Sequence, residues 1–519
     1  MRTTPRRLLA AMAALTTALL ASACGGGDDG GGRAASGELT MMVPLFGTAP
    51  DPKGEVHQAV EKVVGKKLKI TWVPNAEYGD KTNVVLASDD IPQVMVVQGK
   101  TAAFVQAAQA GAFWELTDKL DRYPNLKAKS EQAELNASIN GKVFGIYRVR
   151  PLLRSAVLYR KDWLDRLGLK VPETVDELYE VAKAFTEKDP DGNGEKDTYG
   201  LIIPKWPTPV FCSASPYNVI ETWFGAPNCY GDRGGRLVPA FDTEEFYTAN
   251  RWLKKMVDEG LVNPDFATLD SGKWNDPFVQ GKGGIIIDVN VRATQLYGLL
   301  KEQDPDGYGD KLAMGGNLKR SDGQKFSYPF DGYNGFLAVS KQSVRTEAEL
   351  DEVLKALDRL ATKEGQTLLA NGIEGRNFKL ENGYDVPIDD DDPAVKTINN
   401  DVDFAFVQLG TWATIGMGVY ESMPTSEAER ENLRLRKELA ELDLQTAVHN
   451  PALPIVSPTY VSRGATLDPI VSDARVKYLA GEITEEQLRA EVKRWYDSGG
   501  AQVVAEITDL RAELGAGGN

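Results

Sequence analysis

The chain has 519 residues, 42% of them hydrophobic and 26% charged, and its 75 acidic against 59 basic side chains give a formal net charge of −16. That length is more than one hydrophobic core organises, so two lobes or domains are expected. The acidic surplus argues against nucleic acid or anionic lipid as partners, and after the first 23 residues no segment approaches the ~18 consecutive apolar residues of a bilayer span.

The chain begins with Arg2, Arg6 and Arg7, followed by an uncharged stretch over 8–23 that ends Leu20-Ala21-Ser22-Ala23. A basic start, a short apolar run and small residues describe an export signal, and the run is short for a membrane span. Cys24 directly after it resembles the cysteine of a bacterial lipobox, which implies cleavage before Cys24 and acylation of its thiol. Each buried acyl CH₂ contributes roughly 0.8 kcal/mol, so two or more chains hold a protein stably on the outer side of the cell membrane. Residues 1–23 are therefore read as a signal peptide. The Gly-rich stretch 24–37 is read as a flexible tether.

Fold elements begin at 39–43, a strand running into Pro44. A helical pattern over 56–64, a strand over 69–73, a helix over 78–87 and a continuous apolar strand over 92–97 follow. Alternation of strand and helix predicts a parallel α/β sheet. Asn140-Gly141 signals a hairpin. The run 156–161 is a strand entering a short helix at 164–169, with Asp162 as a candidate N-cap. Thr174 and Glu177 have the spacing of a capping box for a helix over 174–186. A buried strand opens after Gly283, another covers 335–340, and a helix is expected over 347–371. The last quarter reads as helical, over 427–442, 473–480, 484–497 and 501–514.

Apart from Cys24 the chain holds two cysteines, Cys212 and Cys229. Outside the cytosol a disulfide between them is favoured over two free thiols. Asp189, Asp191, Asn193, the Glu195 carbonyl and Asp197 fall at positions 1, 3, 5, 7 and 9 of a calcium-type loop, with Gly194 at the sharp turn. Position 12 is Gly200, not the bidentate glutamate of an EF-hand. The competing reading is a Gly-rich turn held by Asx hydrogen bonds.

Several runs together resemble a known family. They are Asp89-Asp90-Ile91-Pro92-Gln93-Val94, Tyr159-Arg160-Lys161-Asp162-Trp163-Leu164 running on to Pro172-Glu173-Thr174, Asp189-Pro190-Asp191-Gly192-Asn193-Gly194, Phe278-Val279-Gln280-Gly281-Lys282 and Trp495-Tyr496-Asp497-Ser498-Gly499-Gly500-Ala501. In this order they are similar to family 1 extracellular solute-binding proteins of ABC importers, above all the large-lobed branch with alginate-oligosaccharide binders. The resemblance implies an α/β, two-lobed, periplasmic-binding-protein-like (type II) fold with hinge strands and a helical C-terminal region. It places lobe 1 at 38–155 plus about 330–400 and lobe 2 at 156–329 plus about 401–519. Hinge crossings are expected near 153–159, near 328–335 and beyond about 400. The implied function is a lipid-anchored monomer that captures a carbohydrate between the lobes and delivers it to ABC permease subunits, without catalysis. Alginate binders carry an acidic residue directly after the ninth loop position, where this chain has Thr198, one ligand short for a structural Ca²⁺.

Sugars bind by stacking ring faces on aromatics, with planar polar groups on the hydroxyls. Trp206, Trp223, Trp274, Tyr333 and Trp412 lie in irregular stretches and are candidate stackers, whereas Trp72, Trp114, Trp163, Trp252 and Trp495 fall in regular patterns and read as core. Arg150, Arg154, Asn290 and Asn334 are candidate polar contacts, and several arginines in one cleft would suit an acidic saccharide. A polysaccharide-degrading enzyme is the alternative from another class, because 75 acidic residues always allow an imagined catalytic pair. No catalytic motif of the serine-elbow, zinc-protease or P-loop type accompanies it. A peptide or other non-sugar solute is the alternative within binding proteins.

Overall fold

The computed structural model describes residues 37–516, apart from 89, 129, 207–211, 213, 389–390 and 413–418. The export signal, Cys24 and Asp89 lie outside the described residues. Strands in chain order are β1 (Glu38–Leu45), β2 (Lys67–Pro74), β3 (Val94–Val97), β4 (Ile146–Val149), β5 (Ser155–Arg160), β6 (Tyr199–Leu201), β7 (Tyr230–Arg233), β8 (Arg236–Pro239), β9 (Gly283–Val289), β10 (Leu312–Gly315), β11 (Tyr333–Val339), β12 (Phe378–Glu381) and β13 (Tyr384–Pro387).

The first sheet has the order β2-β1-β3-β11-β4. β1 runs parallel to β2 and β3, and β11 is antiparallel to both β3 and β4. Side chains alternate between two cores, as the pleat requires. Leu39, Met41, Val43, Val94, Val96, Leu337 and Val339 face the helices Glu55–Val64, Glu347–Leu360 and Lys363–Ala370. Met42, Met95, Val97, Phe336 and Ala338 face Tyr78, Phe104 and Ala133 on the other side. Burial on both faces explains the unbroken apolar run of β3.

The second sheet has the order β10-β5-β9-β6, with β9 antiparallel to β5 and parallel to β6. Val157, Tyr159, Ile285 and Ile287 point into one core, Leu158 and Ile286 into another. The C-terminal helices Pro458–Leu479, Glu485–Trp495 and Ala501–Ala516 complete the first of these cores, and Glu427–Leu444 packs over the second. Each sheet with its helices is one lobe of a two-lobed α/β fold.

The chain passes between sheets over 150–154 and again over 316–332. The two passages are bonded side by side, Arg150 N–H to the Gly332 carbonyl at 2.9 Å and Phe330 N–H to the Leu152 carbonyl at 2.7 Å. Residues beyond 400 do not go directly to the second lobe. Val402, Phe406 and Leu409 are buried under the first sheet, because their apolar spacing fits the groove beside the helices Glu55–Val64 and Lys363–Ala370.

Several local expectations change. Arg160, not Asp162, occupies the N-cap position of the helix Lys161–Leu167 and makes no side-chain cap bond, while Asp162 sits in the first turn and pairs with Arg160. The Thr174–Glu177 capping box is formed on both sides. The helix expected over 347–371 breaks at Ala361 because Thr362 caps a second helix. The helix expected from 473 starts at Pro458, carrying Pro469 inside it. Asn140 and Gly141 both adopt positive φ and close a bridge between Ile139 and Lys142, a turn without the strands of a full hairpin.

Candidate functional site

The strand directions define one cleft. β4 ends, and β11 begins, at the passages between sheets, so β1 and β3 also end there. On the other side β5 begins at the passage, and its antiparallel register with β9 brings the ends of β9 and β6 to the same edge. The carboxyl ends of the parallel strands of both sheets thus face the crossing segments. That is where open α/β sheets bind ligands, since the chain leaves each strand there without covering the edge.

Those ends carry polar and aromatic groups. Beyond β1 stands Phe46, beyond β2 Asn75, and beyond β3 Gln98 and Lys100, with Gln98 donating to Asn75 at 2.7 Å. Beyond β6 comes Trp206, and beyond β9 come Asn290 and Arg292. The passages add Arg150, Arg154 and Asp331, and the start of β11 adds Asn334.

The charges alternate across the cleft. Lys100 faces Asp331, Asp331 faces Arg154, and Arg154 also feels Asp288. Asp288 is paired with Arg292. The series begins on the first lobe, passes through the crossing and ends on the second. Burial drives the Lys100 ammonium down to about 7, against the pull of Asp331. Its Nζ also donates to the carbonyls of Asn136 at 2.8 Å, Ser138 at 3.1 Å and Leu453, which favours the charged form. Burial and the neighbouring Arg154 lower Arg150 to about 10. Burial raises the Asp331 carboxyl, opposed by Lys100 and Arg154. Asp331 is open to water yet surrounded by protein, as a group on a concave wall is. Four cations, Lys100, Arg150, Arg154 and Arg292, therefore meet two carboxylates, Asp288 and Asp331, in a chain whose overall charge is strongly negative.

The residues singled out from sequence divide sharply. Arg150, Arg154, Trp206, Tyr333 and Asn334 come to the cleft, with Asn334 exposed and the Arg154 guanidinium 4.4 Å from the centre of the Phe330 ring. Asn290 is buried, and its backbone N–H donates to the Arg154 carbonyl at 2.7 Å, which ties the end of β9 to the passage. Trp223 is fully buried, its Nε1 donating to Asn317 at 2.8 Å. Trp274 is 2% exposed, donates to the Ile202 carbonyl at 3.1 Å, and lies under Trp206 and Arg292. Both rings are core residues with no free face for stacking. Trp412 packs on the first lobe beside Arg150, Val407 and Val419, not on the second. Gln366 fixes it there by accepting the N–H groups of Thr411 and Trp412. Lys100 and Asp331 were missed in sequence because no motif marks them. The position of Lys100 just past the third strand was the available signal.

Cys212 and Cys229 are joined as a disulfide. Asn228 next to it donates to the Pro329 carbonyl at 3.1 Å, tying this loop to the crossing. The 189–197 loop is organised by its own hydrogen bonds. Asp189 accepts the N–H groups of Gly192, Asn193 and Gly194, and the Asn193 amide donates to Asp191 and Asp197. Lys282 pairs with Asp197. Among the described residues no three acidic, histidine or cysteine side chains are placed to hold a metal ion. The side-chain oxygens of Asp189, Asp191, Asn193 and Asp197 each accept from an N–H or ammonium donor.

Residues 53–367 match the model of the bacterial extracellular solute-binding proteins. The chain belongs to that family. It is 41% identical to lipoprotein LipO of Bacillus subtilis over 92% of this chain and 93% of that one. It is 35% identical to the polygalacturonan/rhamnogalacturonan-binding protein YtcQ of the same organism, over 91% of each chain. The crystal structure of alginate-binding protein AlgQ2 without calcium ion superposes with a TM-score of 0.65, at 19% identity, covering 92% of this chain and 98% of that one. The fold is thus that of two-lobed solute-binding proteins. This family and its relatives are binding proteins.

Proposed function

We propose that this protein is the membrane-tethered capture component of an ABC importer, and that its solute is an oligosaccharide bearing carboxylates. The cationic excess at the crossing carries the reading. A ligand carboxylate placed beside Arg150 and Arg154 gains charge-assisted hydrogen bonds, and burial there strengthens them, while the Lys100 ammonium, its three N–H groups already given to backbone carbonyls, adds only its charge. Polygalacturonan, named for the relative YtcQ, is a polymer of that kind. Closure of 38–149 plus 333–412 on the remaining lobe would bring Arg292 and Trp206 onto the same ligand, and differential contact is what shifts an open–closed equilibrium. No bond is made or broken.

Calorimetry with galacturonate oligomers, neutral fructans and short peptides tests the solute class. Binding of the acidic oligomers with no products after prolonged incubation supports the reading, and product formation replaces it with hydrolysis. Salt should weaken binding, since the contact is ionic at its rim.

The same proposal includes acylation of Cys24 and a structural Ca²⁺ in the 189–197 loop. The residue order around Cys24 supports the first, and the oxygen spacing of Asp189, Asp191, Asn193 and Asp197 supports the second. Labelled palmitate should mark the wild type and not Cys24→Ser. Chelator should lower the melting temperature of the wild type and leave Asp191→Ala unchanged.

A further inference from the structure

Among the described residues few large apolar side chains are open to water, and two of them belong to residues joined through the backbone at the end of β1. Phe46 is 50% exposed and Phe404 45%. They are not loosely placed. The Phe46 N–H donates to the Phe404 carbonyl at 2.9 Å, and the Phe404 side chain lies over Gly47, where a Cβ would stand 2.7 Å from its own. Asn400 donates to the Thr48 carbonyl at 3.3 Å and fastens the same turn to the helix Pro393–Phe404. Two exposed rings on a fixed turn are costly in water and pre-organised for a flat apolar partner.

Their place in the sheet says what that partner is. Phe46 continues β1 past the carboxyl edge that faces the crossing. In the order β4-β11-β3-β1 it stands three strand spacings from the passage, about 14 Å, the span of about three pyranose units. Five residues past the outermost strand of the other sheet, β6, stands the half-buried Trp206, packed edge-on against Trp274. The cleft is therefore cationic at the crossing and aromatic at its outer end on both lobes.

Resting on the carbohydrate reading above, we propose that Phe46 and Phe404 form an outer subsite that stacks on the apolar face of a sugar ring about three units from the charged end, making the protein selective for ligand length. Short ligands occupy the cationic end alone. Longer ones reach the platform.

Titration calorimetry of wild type, Phe46→Ala, Phe404→Ala and Phe46→Trp with galacturonate oligomers of one to five units tests this, with folding checked by melting temperature. The wild type should bind the tetramer at least tenfold more tightly than the dimer. Both alanine variants should lose about tenfold on the tetramer and nothing on the dimer, and Phe46→Trp should keep the preference. Equal loss at every length, or none at any, overturns the subsite while leaving carbohydrate capture intact. If the wild type binds no oligomer, and none of a neutral fructan series, the carbohydrate reading itself falls and the subsite with it.

Discussion

Arg150 and Gly332 are joined by a backbone hydrogen bond of 2.9 Å, and this bond zips the two passages between lobes together. Gly332 has φ 82, and a Cβ there would lie 2.8 Å from Ala133 and Leu152. Gly332→Val therefore cannot keep both the left-handed backbone and the contact. It should cost about 1–3 kcal/mol in stability by denaturant titration and weaken ligand binding as well, because the passages carry Arg150, Arg154 and Asp331. Unchanged affinity in a stably folded variant would show that the passage does not position these groups.

Glu221 and Arg475 form an ion pair at 2.6 Å with side chains 6% and 4% exposed. Asn218 and Asn250 each donate to Glu221 at 3.2 Å. Glu221→Gln strands the guanidinium in a dry core and should cost about 3–5 kcal/mol. Replacing both partners by Leu and Met should recover most of that loss in the denaturant midpoint, and no recovery would place the cost in packing instead of charge.

The tryptophans should separate into two behaviours. Trp274→Ala removes a buried ring and its hydrogen bond and should cost about 3–5 kcal/mol of stability. Trp206→Ala exposes little new cavity, so its stability should change far less while ligand binding weakens. Melting curves and calorimetry on the pair decide this, and the reverse ranking would displace the cleft.

Asp468 gives a pH signature. Burial pushes its carboxyl up to about 6, although the Tyr460 hydroxyl, 2.9 Å from both oxygens, pulls the other way. A folded value above the unfolded one means that the native state holds the proton more tightly. Its contribution is complete below about pH 4 and is lost as pH rises through 6, on the order of 2–3 kcal/mol in all. Wild type should match Asp468→Asn near pH 4, fall below it in stability as pH rises through that window, and hold a constant deficit above pH 7. A constant difference from pH 4 to 7 would mean that Asp468 does not titrate there.

Much of the scaffold is readable in the sequence because burial on both faces leaves runs such as Val94–Val97, and capping leaves pairs such as Thr174 and Glu177. The long helix from Pro458 is masked by Gly464 and Pro469, which tertiary packing tolerates and local propensity does not. At the site, the arginines of the passage are legible from the strand that follows them. Trp223 and Trp274 are not, since an aromatic in an irregular segment looks the same whether its Nε1 meets water or a buried carbonyl. Phe46 and Lys100 come from parts of the chain far from the arginines, and only the sheet order brings their strand ends to one edge.

That order also sets a timetable. β11 sits between β3 and β4, yet it is encoded after every strand of the second sheet. A growing chain that has emerged as far as β4 has a strand whose one partner among the described residues, β11, does not yet exist. The first lobe therefore stays open until residue 339 is made, and a chain stopped at residue 320 should remain protease-sensitive throughout its first third.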